Sequence, residues 1–137
     1  MPTGRFPRPR PRAARASERG AAALEFALVL PILLMLVFGI ITFGRAYHAK
    51  VELAGGVREG ARALALGKSS AEAQAATIDA AGGLALSAGD VQTSGCPAGG
   101  ADGTARVEAS YDLEYAIPLV ASGTLTITAD GAMRCGL

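Results

Sequence analysis

An α+β fold carried on one membrane-crossing helix is predicted by three features of the sequence. An apolar run without charge extends from Phe26 to Gly44, a period of three to four residues follows it, and a period of two appears near the C-terminus. The predicted order is a single N-terminal transmembrane helix extending into an amphipathic helix, then a short helix, then a small antiparallel sheet. The corresponding segments are a basic leader over residues 1–20, the span over 21–44, the amphipathic extension over 45–67 and a small α+β domain over 68–137. With 137 residues the chain has room for one such domain and its appendages.

The leader explains the misleading net charge of +1. Arg5, Arg8, Arg10, Arg12, Arg15 and Arg19 are six of the thirteen basic residues, and Glu18 is one of the twelve acidic ones. Seven basic and eleven acidic residues remain beyond Gly20, formally −4. Pro2, Pro7, Pro9 and Pro11 withhold backbone donors and the arginines repel one another, so disorder is expected up to Glu18. One aromatic, Phe6, and an adjoining apolar segment favour a topological role for this charge over nucleic-acid binding.

Residues 21–44 would rise about 36 Å as a helix, enough for a hydrocarbon core of about 30 Å. Six arginines before the span outweigh Arg45 and Lys50 after it, which predicts a cytoplasmic N-terminus and an extracytoplasmic C-terminal domain. The run is too long for a secretory signal core and is expected to stay with the product. Pro31 removes one hydrogen bond and favours a kink, while Gly39 and Gly44 are either ordinary membrane-helix glycines or a small-residue helix contact.

Beyond Gly44, Phe43, Tyr47, Val51, Ala54, Val57, Ala61 and Leu64 recur at helical spacing, with Arg45, Lys50, Glu52, Arg58, Glu59 and Arg62 off that stripe. Gly55, Gly56 and Gly60 each weaken a helix by roughly 1 kcal/mol, which indicates a hinge or a close helix contact. His48 has no partner in sequence and reads as a surface residue. Ser69 with Glu72 forms a capping box opening an Ala-rich helix that stops at Gly82 and Gly83.

Val107, Ala109, Tyr111, Leu113 and Tyr115 alternate with polar residues, as do Leu125, Ile127 and Ala129, giving two strands joined near Pro118 and Gly123. A weaker strand runs through Val91 and Thr93. Cys96 and Cys135 follow the first and last strands, so a disulfide between them would staple a small sheet. Two thiols and one remote His48 cannot complete a zinc shell, and no metal or other cofactor is expected.

Glu25 admits two readings. It is tolerated near the headgroups and the positive end of the helix dipole, or it neutralises a neighbouring subunit's amino terminus at Ala21 after a cut behind Gly20. Gly20 through Phe26 resembles the processing site of type IV prepilin-like proteins. The stretch RGAAALEFALVLPILLMLVFGIITFGRAYHAKVELAGGVREGAR, from Arg19 to Arg62, resembles the TadE-like family over about a third of the chain.

That resemblance implies a minor pilin, or pseudopilin, of a tight-adherence (Tad/Flp) pilus, a type IV pilus-like assembly serving adhesion and secretion. It implies cleavage between Gly20 and Ala21 by a prepilin peptidase, and Glu25 with Phe26 as assembly residues. The partners it implies are membrane lipid, that peptidase, other pilin and pseudopilin subunits, and the Tad secretion machinery. Arg58, Glu59 and Arg62 then become candidate subunit contacts, although such charges are also an ordinary solvated face. Phe26 replaces a frequent Tyr, and Thr42 replaces an acid that many relatives carry before Phe43. The alternative is an uncleaved bitopic protein presenting a small disulfide-stapled binding domain. No phosphate loop, nucleophile elbow or His cluster points to an enzyme.

Overall fold

In the computed structural model of the protein, residues 13–96, 103–118 and 120–136 are described, with side chains from Gly20 onward. The proline-rich segment up to Arg12 and most of the Gly-rich loop after Cys96 lie outside the described residues. The elements are α1 (Ala13–Ala65), α2 (Ser70–Ala80), a 3-10 turn (Ala88–Asp90), β1 (Val91–Ser94), β2 (Thr104–Ile117) and β3 (Ala121–Arg134). The architecture is the expected α+β one. Helix α1 begins at Ala13, inside the segment expected to be disordered, because the last helix-breaking proline is Pro11.

Two compact units divide the chain, Met1–Val37 and Phe38–Leu137. In the first, the side chains from Gly20 to Val37 are exposed except at Pro31, which is half-buried. The second has a core of its own, in which Leu53, Val57, Val91 and Val107 are fully buried.

Helix α1 ends as its sequence requires. Gly67 adopts φ +82°, its amide donates to the Leu64 carbonyl at 2.9 Å, and the Lys68 amide donates to the Ala63 carbonyl at 3.1 Å. This is a Schellman closure, which needs a left-handed residue where Gly stands. Ser69 then caps α2: its amide donates to Glu72 Oε2 at 2.9 Å, and the Glu72 amide donates back to Ser69 Oγ at 3.3 Å. The Ser69 backbone hydrogen bond, followed by its hydroxyl, holds the Glu72 carboxyl below its ordinary value. Past α2, Gly82 and Gly83 take φ +69° and +107°, ending the helix where the sequence places the stop.

The glycines of α1 resolve into contact rather than hinge at two of three positions. A Cβ on Gly56 would stand 2.6 Å from the Thr77 carbonyl, and one on Gly60 would collide with Thr77 Oγ1. Gly55 faces open space. Helices α1 and α2 therefore touch through backbone, over the buried Thr77, whose hydroxyl donates to the Ala73 carbonyl at 2.8 Å.

This contact also corrects the expected apolar stripe. The buried face of α1 runs through Ala49, Leu53, Val57, Ala61 and Leu64, whereas Phe43, Tyr47 and Val51 are 75%, 64% and 54% exposed. Close approach selects small residues for the inner face, so the bulkier side chains of the first two turns point away. Hydrophobicity alone ranks Phe and Tyr above Ala and Gly and so picks the wrong side at that end.

The sheet has the order β1-β2-β3, antiparallel throughout. Pairing Val91↔Ala109, Val107↔Gly131 and Ala109↔Ala129 puts the alternating apolar residues on one face, against α1 and α2. Gly131 lets β3 reach α1, since a Cβ there would stand 2.6 Å from the Val57 carbonyl. The opposite face carries exposed Arg106, Glu108, Asp112, Glu114 and Asp130. Ile117 pairs with Ala121, and the Val120 amide donates to the Ile117 carbonyl at 3.1 Å where the hairpin turns. Gly123, expected in that turn, instead lies within β3 opposite Tyr115, whose ring occupies the space a side chain would need. Leu125, expected to be covered, is 44% exposed. Cys96 and Cys135 form the expected disulfide, with Cα atoms 5.9 Å apart, and the Cys135 amide donates to the Gly103 carbonyl at 2.9 Å.

Candidate functional site

Among the described residues no group of three or more His, Cys, Asp or Glu side chains is placed to hold a metal. The features open to functional reading are the bare apolar helix and the surface of α1 beyond it. From Gly20 the helix is long and apolar enough to cross a membrane, with a mean hydropathy of 2.8 over its most apolar window and none of that window buried. Leu24, Phe26 and Leu28 are each about two-thirds exposed. A helix apolar on every side and left uncovered by the described residues needs lipid or other subunits around it.

Gly20, Ala21, Glu25 and Phe26 all lie within α1, exposed, so the Gly20–Ala21 peptide sits in helical backbone. Pro31 is likewise inside the helix. A Cβ at Gly20, Gly39 or Gly44 would meet nothing within 4 Å. These glycines serve no close contact within the chain, unlike Gly56 and Gly60.

Residues 20–62 match the family model of TadE-like proteins. The match starts one residue inside the Arg19–Arg62 stretch that resembles the family and ends with it at Arg62. It takes in the exposed apolar turns of α1 and most of the part of α1 that packs on the sheet, and leaves the sheet itself unmatched. No curated protein and no solved structure matches the chain.

At the far end of the matched stretch, Arg58, Glu59 and Arg62 are exposed, with Arg62 Nη1 3.8 Å from Glu59 Oε2 one turn back. Such a pair between wet side chains contributes little to stability. His48 is a surface residue as expected, but it has a partner: its Nδ1 lies 3.4 Å from Glu52 Oε2 at the i,i+4 spacing. Lys50, also off the buried face, donates to the Thr128 carbonyl of β3.

Sequence reasoning missed the placement of the β2–β3 hairpin along α1. Gly39, Thr42, Phe43 and Ala46 line one groove with Tyr115, Ile117 and Leu125. Arg45 lines a second cleft with Glu114, Tyr115, Ser122 and Gly123. The available signal was the absence of charge from Tyr115 to Ala129, which matches the absence of charge from Phe26 to Gly44.

Proposed function

We propose that the protein is a minor pilin, or pseudopilin, of a tight-adherence pilus: a structural component, not an enzyme, that assembles through its N-terminal helix. The observation that carries this reading is that the TadE-like match begins at Gly20, where an apolar helix also begins whose side chains stay exposed as far as Val37, Pro31 apart. In that reading a membrane prepilin peptidase cuts between Gly20 and Ala21, removing the arginines of the leader. Glu25 then neutralises the new amino terminus of an adjacent subunit, because two opposite charges brought into low dielectric stabilise each other while each alone is costly. Phe26 packs beside it, and Arg58, Glu59 and Arg62 offer charged contacts to other subunits. The protein sits in the cytoplasmic membrane with its disulfide-bonded domain outside until it is taken into a pilus.

Because the Gly20–Ala21 bond lies in helical backbone, cleavage requires that turn to open. Gly20 lowers the cost of opening, by roughly 1 kcal/mol relative to Ala. The same helical setting supports a second reading, in which the bond is never cut and the chain remains a bitopic anchor for the domain. Intact mass of the membrane-extracted protein, with and without a co-expressed prepilin peptidase, decides between them. Loss of residues 1–20 is expected; an unchanged mass in the presence of active peptidase rules processing out. Glu25→Ala is expected to be cleaved normally and to fail in assembly with other subunits, and normal assembly would remove its pairing role.

A further inference from the structure

The hairpin formed by β2 and β3 divides by charge along its length. The part between the disulfide and the Glu114↔Thr124 pair carries Arg106, Glu108, Asp112, Glu114, Asp130 and Arg134, whereas residues 115–123, the end beyond that pair, carry no charge. Helix α1 divides in the same way: Arg45 and Lys50 stand beyond its apolar run, and no charge lies between Phe26 and Gly44. The two boundaries meet in space. Arg45, the first charge after the apolar run, and Glu114, the last on β2, line one cleft. Toward the hairpin turn, Ile117 shares a groove with Gly39, Thr42 and Phe43. The end of the hairpin thus lies beside the uncharged turns of α1 from Gly39 to Phe43, with Val120 57% exposed.

A helix that crosses a bilayer fixes the membrane level for whatever lies beside it. We infer that the β2–β3 turn is a second membrane contact: it rests in the interfacial layer of the leaflet at the C-terminal end of the span, with lipid as its partner. The inference rests on α1 being membrane-anchored, and is independent of cleavage or pilus assembly. Tyr47 and Tyr115 stand near the shared charge boundary, where aromatic rings with one polar end are favoured, and Arg45 and Lys50 suit anionic headgroups. The depth is limited by the backbone. β1 pairs with β2 only from Arg106 to Ala109, so the outer edge of β2 toward the turn has no strand beside it and needs water or headgroups as hydrogen-bond partners. Ser122, exposed on β3 beyond the last charged pair, suits the same polar layer.

The chain contains no tryptophan, so a single introduced one reports on its own surroundings. The full chain carrying Val120→Trp is reconstituted in phosphatidylcholine–phosphatidylglycerol vesicles, with Ser122→Trp as a second probe and Gln92→Trp, exposed on β1, as the distal control. Formation of the disulfide checks that each variant folds. Lipids brominated near the headgroup are expected to remove about half of the emission at position 122 or 120 and little at position 92, with deeper bromines less effective. Emission unaffected by brominated lipid overturns the inference, whether the probe is in water or is covered by a second copy of the chain. Co-flotation with vesicles keeps the two readings apart. A protein that floats yet is not quenched refutes the hairpin contact alone, and one that does not float refutes the anchoring and the contact with it.

Discussion

Between Leu24 and Leu36 helix α1 exposes six leucines, from 36% to 66%, whereas Leu53 and Leu64 on its later turns are 0% and 3% exposed. The side chain is the same and so is the helix; the neighbours differ. In the Phe38–Leu137 unit the sheet and α2 cover one face of the helix, and Gly56, Gly60 and Gly131 let those neighbours come within backbone distance. Over the earlier turns the described residues supply no cover, and the apolar surface is left for lipid or for other subunits. The hydrophobic effect therefore acts twice in this molecule, once to place it and once to fold it. Substitutions in one region are expected to leave the other function intact.

The largest separation is expected from charge in the bare region. Replacing Leu33 and Leu34 together by Arg opposes membrane insertion by about 6 kcal/mol. The doubly substituted chain should leave the membrane fraction on alkaline extraction while its domain still forms the Cys96–Cys135 disulfide. If the disulfide is lost with the membrane association, the two regions are not independent.

The converse experiment removes the staple. Cys96 and Cys135 are 39 residues apart in sequence, and chain entropy alone assigns closure of such a loop about 4 kcal/mol. Changing both to Ser should lower the melting temperature of the domain sharply without releasing the protein from membranes. An unchanged melting temperature would mean that the helices and sheet need no staple, despite their small core.

A matched pair of leucines sharpens the comparison further. Leu53→Ala empties a fully buried site and should cost the domain about 3 kcal/mol, while Leu28→Ala, at a residue 66% exposed, should leave domain stability unchanged. Chemical denaturation followed through the disulfide-bonded domain reads both. Equal losses would show that the helix is stabilised as a whole rather than through its covered face.

The same contrast explains what the sequence made legible. The bare helix, the capping box at Ser69, the stop at Gly82 and the two long strands announce themselves through local pattern: uninterrupted hydropathy, cap chemistry and a period of two. The inner face of α1 does not. It is chosen by close approach of backbones at Gly56, Gly60 and Gly131, and glycine contributes nothing to a hydrophobic stripe, so Phe43, Tyr47 and Val51 drew attention that Ala49 and Leu53 merited. Gly123 misled for a related reason, since a glycine covered by a cross-strand ring looks in sequence like a turn. Of the residues proposed to function, Glu25 stands out as the lone acid before the apolar run and Gly20 by its place five residues earlier, but the alignment of the hairpin with the helix depends on strand register and emerges only in three dimensions.

The smallest expected effect concerns the junction between α1 and α2. Glu72 has its carboxyl held below the ordinary value by the Ser69 backbone and hydroxyl, so the folded state favours the ionised form. The sign follows from linkage: this contribution is fully present above the carboxyl's unfolded value and is lost as the pH falls through its lower folded value. Ser69→Ala removes the cap hydroxyl and should cost about 1 kcal/mol at neutral pH. In the variant the stability lost on acidification should shrink, because part of the preference for ionised Glu72 has gone. Glu72→Gln should also flatten that acid limb while keeping a side chain able to accept the Ser69 amide. Parallel acid limbs in all three proteins would mean that Glu72 is bound no better when ionised, and that the α2 cap is held by packing over Thr77 instead.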